Sequence, residues 1–564
     1  MNKNHLRIIW ILLLPVLLVT GLRLLALARQ ATHLDKIAVE MASVGQYRLG
    51  LFPNHSGSAL IFQQETNKGL GTFLCETATG KTRLLFEEKE KGYKGRFRLL
   101  GWSADDNVLM FANMSDDTES NGSGAITICN GMSGEVTGRI PADSYARDSQ
   151  FAWLTPKSFV YSSVGHRSWL IYAQKPDGTW VQTQVVKRFA DGRLPNLIGV
   201  SPVVIAWQKT NTVWTYDFHN GQMRPIWTAT TNRITGLQLS EKSGNILVKC
   251  RDSLGNALLE LRLPSSGNTE CEVVNVIRPL PEEPRAEVDE SGGRFTYKLT
   301  TGLGGEQAAF VWEGQSRYYA FNGSSLFFAG SRGNEVPGIW QYELASKNLR
   351  RVVSASNTPI KWAMVSPGLP GIFTNKFGKV ITYHFWQPIQ KRDGVKYPVV
   401  IGKYLNVWNP FQQIAANAGW YFVTIDLTDW GMSAFSQEMA ELHEEITKSL
   451  AIDTNRFIVI ASSAQAPGVD ELYLQNLGLA GFIFYHPAGI TDLPFVKNRN
   501  LLILGGTDDT GEKVETLEKA QDKVFKNGNA VRLLIQEGVQ HNMNRSLDSE
   551  IELCREFARF LNEN

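Results

Sequence analysis

The sequence predicts two folded domains: an all-β propeller of six to eight blades, then an α/β domain built on a parallel sheet. Three observations carry this prediction. Over residues 46–359 short β runs alternate with turn signals at a spacing of about 44 residues, the length of one four-stranded propeller blade. Beyond about residue 372, apolar strands alternate with helical stretches, the pattern of a doubly covered parallel sheet. A chain of 564 residues is also too long for one core, and 43% hydrophobic content is enough to fill two.

The chain opens with Lys3 and Arg7 ahead of an apolar run over 8–21, and Arg23 interrupts a further apolar stretch that ends at Ala28. Ala26-Leu27-Ala28 fits a signal-peptide cleavage site. The same 21 residues, 8–28, are long enough to span a bilayer with Arg23 reaching for the headgroups. Residues 1–28 are therefore expected to be a signal peptide or a membrane anchor. The protein is exported on either reading, as a secreted or periplasmic protein or as a transmembrane-anchored one. Residues 29–45 are mixed and helix-compatible and read as a linker or stalk, 46–360 as the propeller and 361–564 as the α/β domain.

Within the propeller, the recurring unit is an apolar strand, a turn and a second strand. GTFLCETATGKTRLLF at Gly71, GAITICNGMSGEVTGRI at Gly124 and NTVWTYDFHNGQMRPIW at Asn211 are instances. Segments such as LLGWSADDNVLMFA supply the other two strands of a blade. Six units are clear, and residues 294–312 hold room for a seventh. The many Trp and Tyr residues here read as packing between blades.

The second domain starts with the hairpin FTNKFGKVITYHFWQP and the buried strand KYPVVI. A helix over 410–418, the strand WYFVTIDL and a helix over 436–449 follow. Next come a strand in IDTNRFIVIASS, the strands GLAGFIFYHP and NLLILGG, a helix over 512–527, the strand VRLLIQEG and a last helix over 547–564. Ligand chemistry in such a sheet sits at the C-terminal ends of the strands.

Those ends carry Ser463, Asp508 and Asp509, and His541. In RFIVIASSAQAPG a buried strand turns into a helix with Ser463 at the apex, as in a nucleophile elbow. Asp509 follows Ser463 by 46 positions and His541 follows Asp509 by 32. Ser, acid, His is the chain order of the α/β-hydrolase triad. The chemistry needs a neutral His to take the Ser proton, a carboxylate to orient that His, and donors aimed at the oxyanion. The backbone N–H of Ala464 and the hydroxyl of Tyr404, just past KYPVVI, are the candidate donors. His384 and His486 read as core or rim residues. His443-Glu444-Glu445 lacks the second His of a zinc helix, so neither a metal nor a cofactor is expected. A formal net charge of +2 gives no reason to expect a nucleic-acid partner, and five scattered cysteines form no disulfide framework.

Together these residues resemble the prolyl oligopeptidase family of serine peptidases, in which a β-propeller precedes an α/β-hydrolase domain. IDTNRFIVIASSA is similar to the family's strand-and-elbow segment, with Ser463 on the nucleophile. GGTDD resembles the H-G-x-x-D segment, which favours Asp509 over Asp508 as the acid, and His541 falls on the catalytic histidine. Tyr404 falls where the dipeptidyl peptidase branch has its oxyanion tyrosine. The resemblance implies cleavage of short peptides through an acyl-enzyme on Ser463, with the propeller limiting access.

The chain departs from the family pattern at several places. Ala461 and Gln465 replace elbow glycines, Gly505 stands where the second motif has His, and Leu405-Asn406-Val407 replaces a small, Gly-containing stretch. These changes keep open a catalytically inactive relative that binds a partner on its propeller, and the short segment from Ser463 to Asp509 keeps open an esterase.

Overall fold

The computed structural model describes the chain from residue 29 to residue 564 with short interruptions. Around the second domain those outside the described residues are 362, 404–408, 426–431, 464, 475–476, 488–489, 491–495, 508, 510–511 and 540–546; residues 1–28 are also outside.

Seven consecutive antiparallel sheets occupy residues 47–89, 95–141, 150–187, 198–228, 233–277, 285–313 and 315–354. Six have four strands, and the sheet at 285–313 has three. Each strand pairs with its neighbour in sequence, because short turns make the next strand the nearest partner. The aromatic residues pack blade on blade, as the sequence suggested. Trp169 of the third blade lies edge-on to Trp207 and Tyr216 of the fourth, at 5.9 and 6.0 Å. Trp312 of the sixth meets Phe328 and Trp340 of the seventh at 4.9 and 5.1 Å. Among the described residues no sheet combines strands from both ends of the ring. The first and last blades meet instead through side chains: Leu60 and Phe62 share a core with Phe327, Ala329 and Ile339. Across the same seam Arg350 Nη1 donates to the Thr77 carbonyl at 2.6 Å, and Gln64 Nε2 to that of Ala355 at 2.9 Å.

The second domain is one eight-stranded sheet. We label its strands β1 (Gly368–Thr374), β2 (Val380–Trp386), β3 (Tyr397–Lys403), β4 (Tyr421–Ile425), β5 (Ile452–Ser463), β6 (Leu479–Pro487), β7 (Asn500–Gly506) and β8 (Ala530–Gln536). Their order is β1-β2-β4-β3-β5-β6-β7-β8. β3 to β8 are parallel, whereas β1 and β2 form an antiparallel edge, since a hairpin turn cannot return the chain in parallel. The helices are α1 (29–42), α2 (Pro410–Asn417), α3 (Met432–Ser449), α4 (Val469–Leu474), α5 (Val514–Lys526) and α6 (Leu547–Glu563). They bury the two faces against separate cores. Ile458, Ile460, Ile483 and Leu502 face α1, α2 and α6, and Val459, Ala461, Phe482 and Ile503 face α3, α4 and α5. Alternate residues of each strand thus enter opposite cores, as a two-sided sheet requires.

Residues 29–42, helix-compatible in sequence, form α1. Leu34, Ile37, Ala38 and Met41, one stripe of a helix, are buried against Phe557 and Leu561 of α6. Asp35 pairs with Arg555 of α6 at 2.9 Å, and the Glu40 carboxylate accepts the backbone N–H groups of Lys361 and Ala363. The reason is apolar area: a helix with such a stripe is more stable docked than in water. The expectation of a transmembrane or membrane protein is corrected. Among the described residues no helix is long and apolar enough to cross a membrane, and residues 8–28, on which that expectation rested, lie outside them. All five cysteines are free thiols.

Candidate active site

The site is built at the C-terminal ends of β5, β6 and β7, which lie side by side. β5 ends at Ser463, and the chain then turns into a short 3₁₀ segment (Ala466–Gly468) and α4. The reversal forces Ser463 to φ +50°, the left-handed region that an L-residue enters at a cost of about 1–2 kcal/mol. A non-glycine residue held there, at a strand–turn–helix junction, has the geometry of a nucleophile elbow.

The two elbow substitutions fit this turn. Ala461 is fully buried and its methyl belongs to the core shared with Ala466 and Val469. Gln465 takes an ordinary right-handed backbone (φ −82°, ψ −19°) and folds its side chain back. Its Oε1 accepts from Ser462 Oγ at 3.1 Å and from the Ser462 N–H at 3.3 Å, and its own N–H donates to the Ser462 carbonyl at 3.0 Å. A side chain at this position therefore ties the turn together and leaves the Ser463 conformation intact.

Asp509 lies three residues beyond β7, with its N–H on the Gly506 carbonyl at 3.3 Å. Its carboxylate is 1% exposed, and Oδ2 lies 2.6 Å from Nδ1 of His486, itself 2% exposed. His486 is the next-to-last residue of β6 and has φ +46°. Ser463 is in register with Pro487 on β6, so His486 stands on the strand between Ser463 and Asp509. The sequence reading placed His486 in the core or rim; it is buried, but as the partner of the candidate acid. The available signal was a lone His closing the apolar run GFIFY at the end of the strand beside the elbow.

The loops after β7 and β8 are joined. Thr507 N–H donates to the Gln536 carbonyl at 3.0 Å, and Thr507 Oγ1 accepts from the Gly538 N–H at 2.7 Å. A Cβ on Gly506 would sit 2.0 Å from the Val539 carbonyl oxygen, so only glycine permits this approach. The chain leading to position 541 thus departs beside the segment that carries Asp509. A Cβ on Gly505 would come within 2.4 Å of Leu517 Cδ1 on α5, so the position that has His in the family motif is filled by packing here. His541, Tyr404, Ala464 and Asp508 lie outside the described residues. Burial lowers the pKa of His443, whose ring lies 4.8 Å from that of Phe457 in the core.

No protein-family model matches the sequence, and comparison with curated proteins gives no match. Solved structures do match in fold. One is a prolyl endopeptidase, with TM-score 0.55 and 10% identity over 95% of this chain and 92% of that one. A puromycin-hydrolysing peptidase of Mycobacterium tuberculosis gives 0.55 and 11% over 93% and 95%. A post-proline cleaving enzyme of Rickettsia typhi gives 0.52 and 10% over 95% and 94%. The chain therefore has the fold of the prolyl oligopeptidase family, a propeller followed by an α/β-hydrolase domain, across nearly its whole length.

Proposed function

We propose that the protein is a serine hydrolase that cleaves short peptides through an acyl-enzyme on Ser463. The observation that carries this reading is the left-handed Ser463 at the turn from β5 into α4, one strand removed from a buried carboxylate. The similar structures described as prolyl endopeptidase, post-proline cleaving enzyme and puromycin-hydrolysing peptidase support an amide bond as the target.

In the proposed reaction His541 takes the Ser463 hydroxyl proton as Oγ attacks the scissile carbonyl. Asp509 orients that histidine, and the Ala464 N–H and the Tyr404 hydroxyl stabilise the oxyanion. His541 then returns the proton to the leaving amine, and water attacks the ester by the same route in reverse. In this reading the propeller limits substrates to short peptides, as the resemblance to the prolyl oligopeptidase family implies. Export belongs to the same reading, and cleavage after Ala28 leaves Arg29 at the new N-terminus. N-terminal sequencing of the mature protein checks that step.

The direct test is labelling of the purified protein with a fluorophosphonate, beside Ser463→Ala. Labelling of the wild type and its loss in the variant is the expected result. A folded wild type that resists the probe sinks the proposal.

A further inference from the structure

We propose that His486 is a positioning residue of this active site: its Nδ1–H holds the buried Asp509 carboxylate in the ionised form, so that Asp509 meets the catalytic base as an anion. This inference rests on the serine-hydrolase reading above.

The argument starts from burial. A carboxylate that is 1% exposed pays several kcal/mol for its lost hydration unless strong donors replace it, and otherwise it takes up a proton. A protonated carboxyl group is a donor at one oxygen and a poor orienter of a neutral imidazole. The 2.6 Å approach of His486 Nδ1 to Oδ2 supplies a donor at the short end of the range for charge-assisted bonds.

Placement adds a second, independent reason. β6 lies between β5 and β7, so the imidazole starts from the strand that separates nucleophile and acid, with neighbouring strands about 4.8 Å apart. His486 also holds φ +46°, a conformation glycine would adopt freely and an L-residue adopts at a cost of about 1–3 kcal/mol. Retaining a side chain against that cost is explained by the bond the side chain makes. His486 is 2% exposed, so its bond to Asp509 is made away from bulk water.

The test compares His486→Asn, whose amide nitrogen can stand where Nδ1 stood, with His486→Leu, which keeps volume and removes the donor. The readout is fluorophosphonate labelling as a function of probe concentration, with folding checked by near-ultraviolet circular dichroism. We expect His486→Leu to lower the maximal labelling rate about 100-fold or more, within the range lost with proton-transfer machinery, and to leave the half-saturating probe concentration within about twofold. His486→Asn should stay within about tenfold of the wild type. Nitrogen-15 NMR of the wild type should show His486 protonated at Nδ1, a result that does not depend on either variant folding.

Three results overturn the assignment. A folded His486→Leu that labels like the wild type makes the pair purely structural. A folded His486→Asn as inert as Ser463→Ala makes His486 the base itself. An unprotonated Nδ1 places the proton on Asp509. A wild type that never labels sinks the hydrolase reading and this role with it, whereas a labelled wild type with indifferent variants sinks this role alone.

Discussion

In the proposed reaction Ser463 sets stability against chemistry in one dihedral angle. Its φ of +50° is imposed by the turn, and an alanine there keeps the strain while losing the hydroxyl. Glycine removes the strain as well. Ser463→Gly should therefore unfold at higher urea than Ser463→Ala, by about 1 kcal/mol once the greater freedom of glycine in the unfolded chain is set against the relief. Neither variant should label. A Ser463→Gly less stable than Ser463→Ala would mean that the elbow is unstrained. Gln465 makes the complementary case. Its side chain is 2% exposed and carries the Ser462 tie, so Gln465→Ala should cost about 1–3 kcal/mol through lost packing and hydrogen bonding. Labelling should persist at a reduced rate, measured beside the melt. A larger rate after substitution would show that glutamine hinders the turn that it braces.

At the scale of the element, α1 shows what a helix-compatible pattern leaves open. Leu34, Ile37, Ala38 and Met41 stand at helical spacing in plain view. What the local pattern cannot show is their partner, α6, which lies more than 500 residues further along the chain. The helix α2 was the opposite case: Asn409-Pro410-Phe411-Gln412 holds a complete capping box with proline in the first turn, and the helix forms where it was expected. The site divides in the same way. The placement of Ser463 at a strand end was legible because the apolar strand, the small residues and the turn adjoin one another in sequence, and that of Asp509 because it follows its own strand. The His486–Asp509 bond was hidden, since it depends on β6 and β7 being neighbours in the sheet rather than on any spacing. α1 yields a direct prediction. Ile37 is fully buried, so Ile37→Ala should lower unfolding free energy by about 2–5 kcal/mol, read from urea unfolding. A loss below about 0.5 kcal/mol would mean that α1 is not docked in solution.

At the scale of the molecule, the ring and the sheet depend on cores in which the cysteines are embedded. Cys75 sits in the core where the first and seventh blades meet the second domain, and Cys129 in the core between the first two blades. Burial pushes both thiols up to about 12 and that of Cys271 to about 11, from an ordinary 9.0. Burial likewise raises the phenols of Tyr172, Tyr216 and Tyr383. Each of these groups keeps its proton in the folded chain at a pH where the unfolded chain has released it. The unfolded state then binds fewer protons, so stability falls as pH rises. The fall begins near pH 9 with the thiols and continues toward 12, through the range in which unfolded phenols ionise. Urea unfolding at pH 8, 9, 10 and 11 should show a monotonic decline over the last three points, and a flat profile would contradict the burial of these thiols. The same physics makes the thiolate fraction negligible in the folded state at pH 8, so iodoacetamide should leave Cys75 and Cys129 untouched until unfolding. Cys75 lies in the core where the first and seventh blades meet, so it reports the opening of that seam, and Cys129 that of an ordinary blade contact. Alkylation in rising urea, followed by mass spectrometry, should modify Cys75 no later than Cys129. Earlier modification of Cys129 would place the weakest contact of the propeller within the ring, away from its seam.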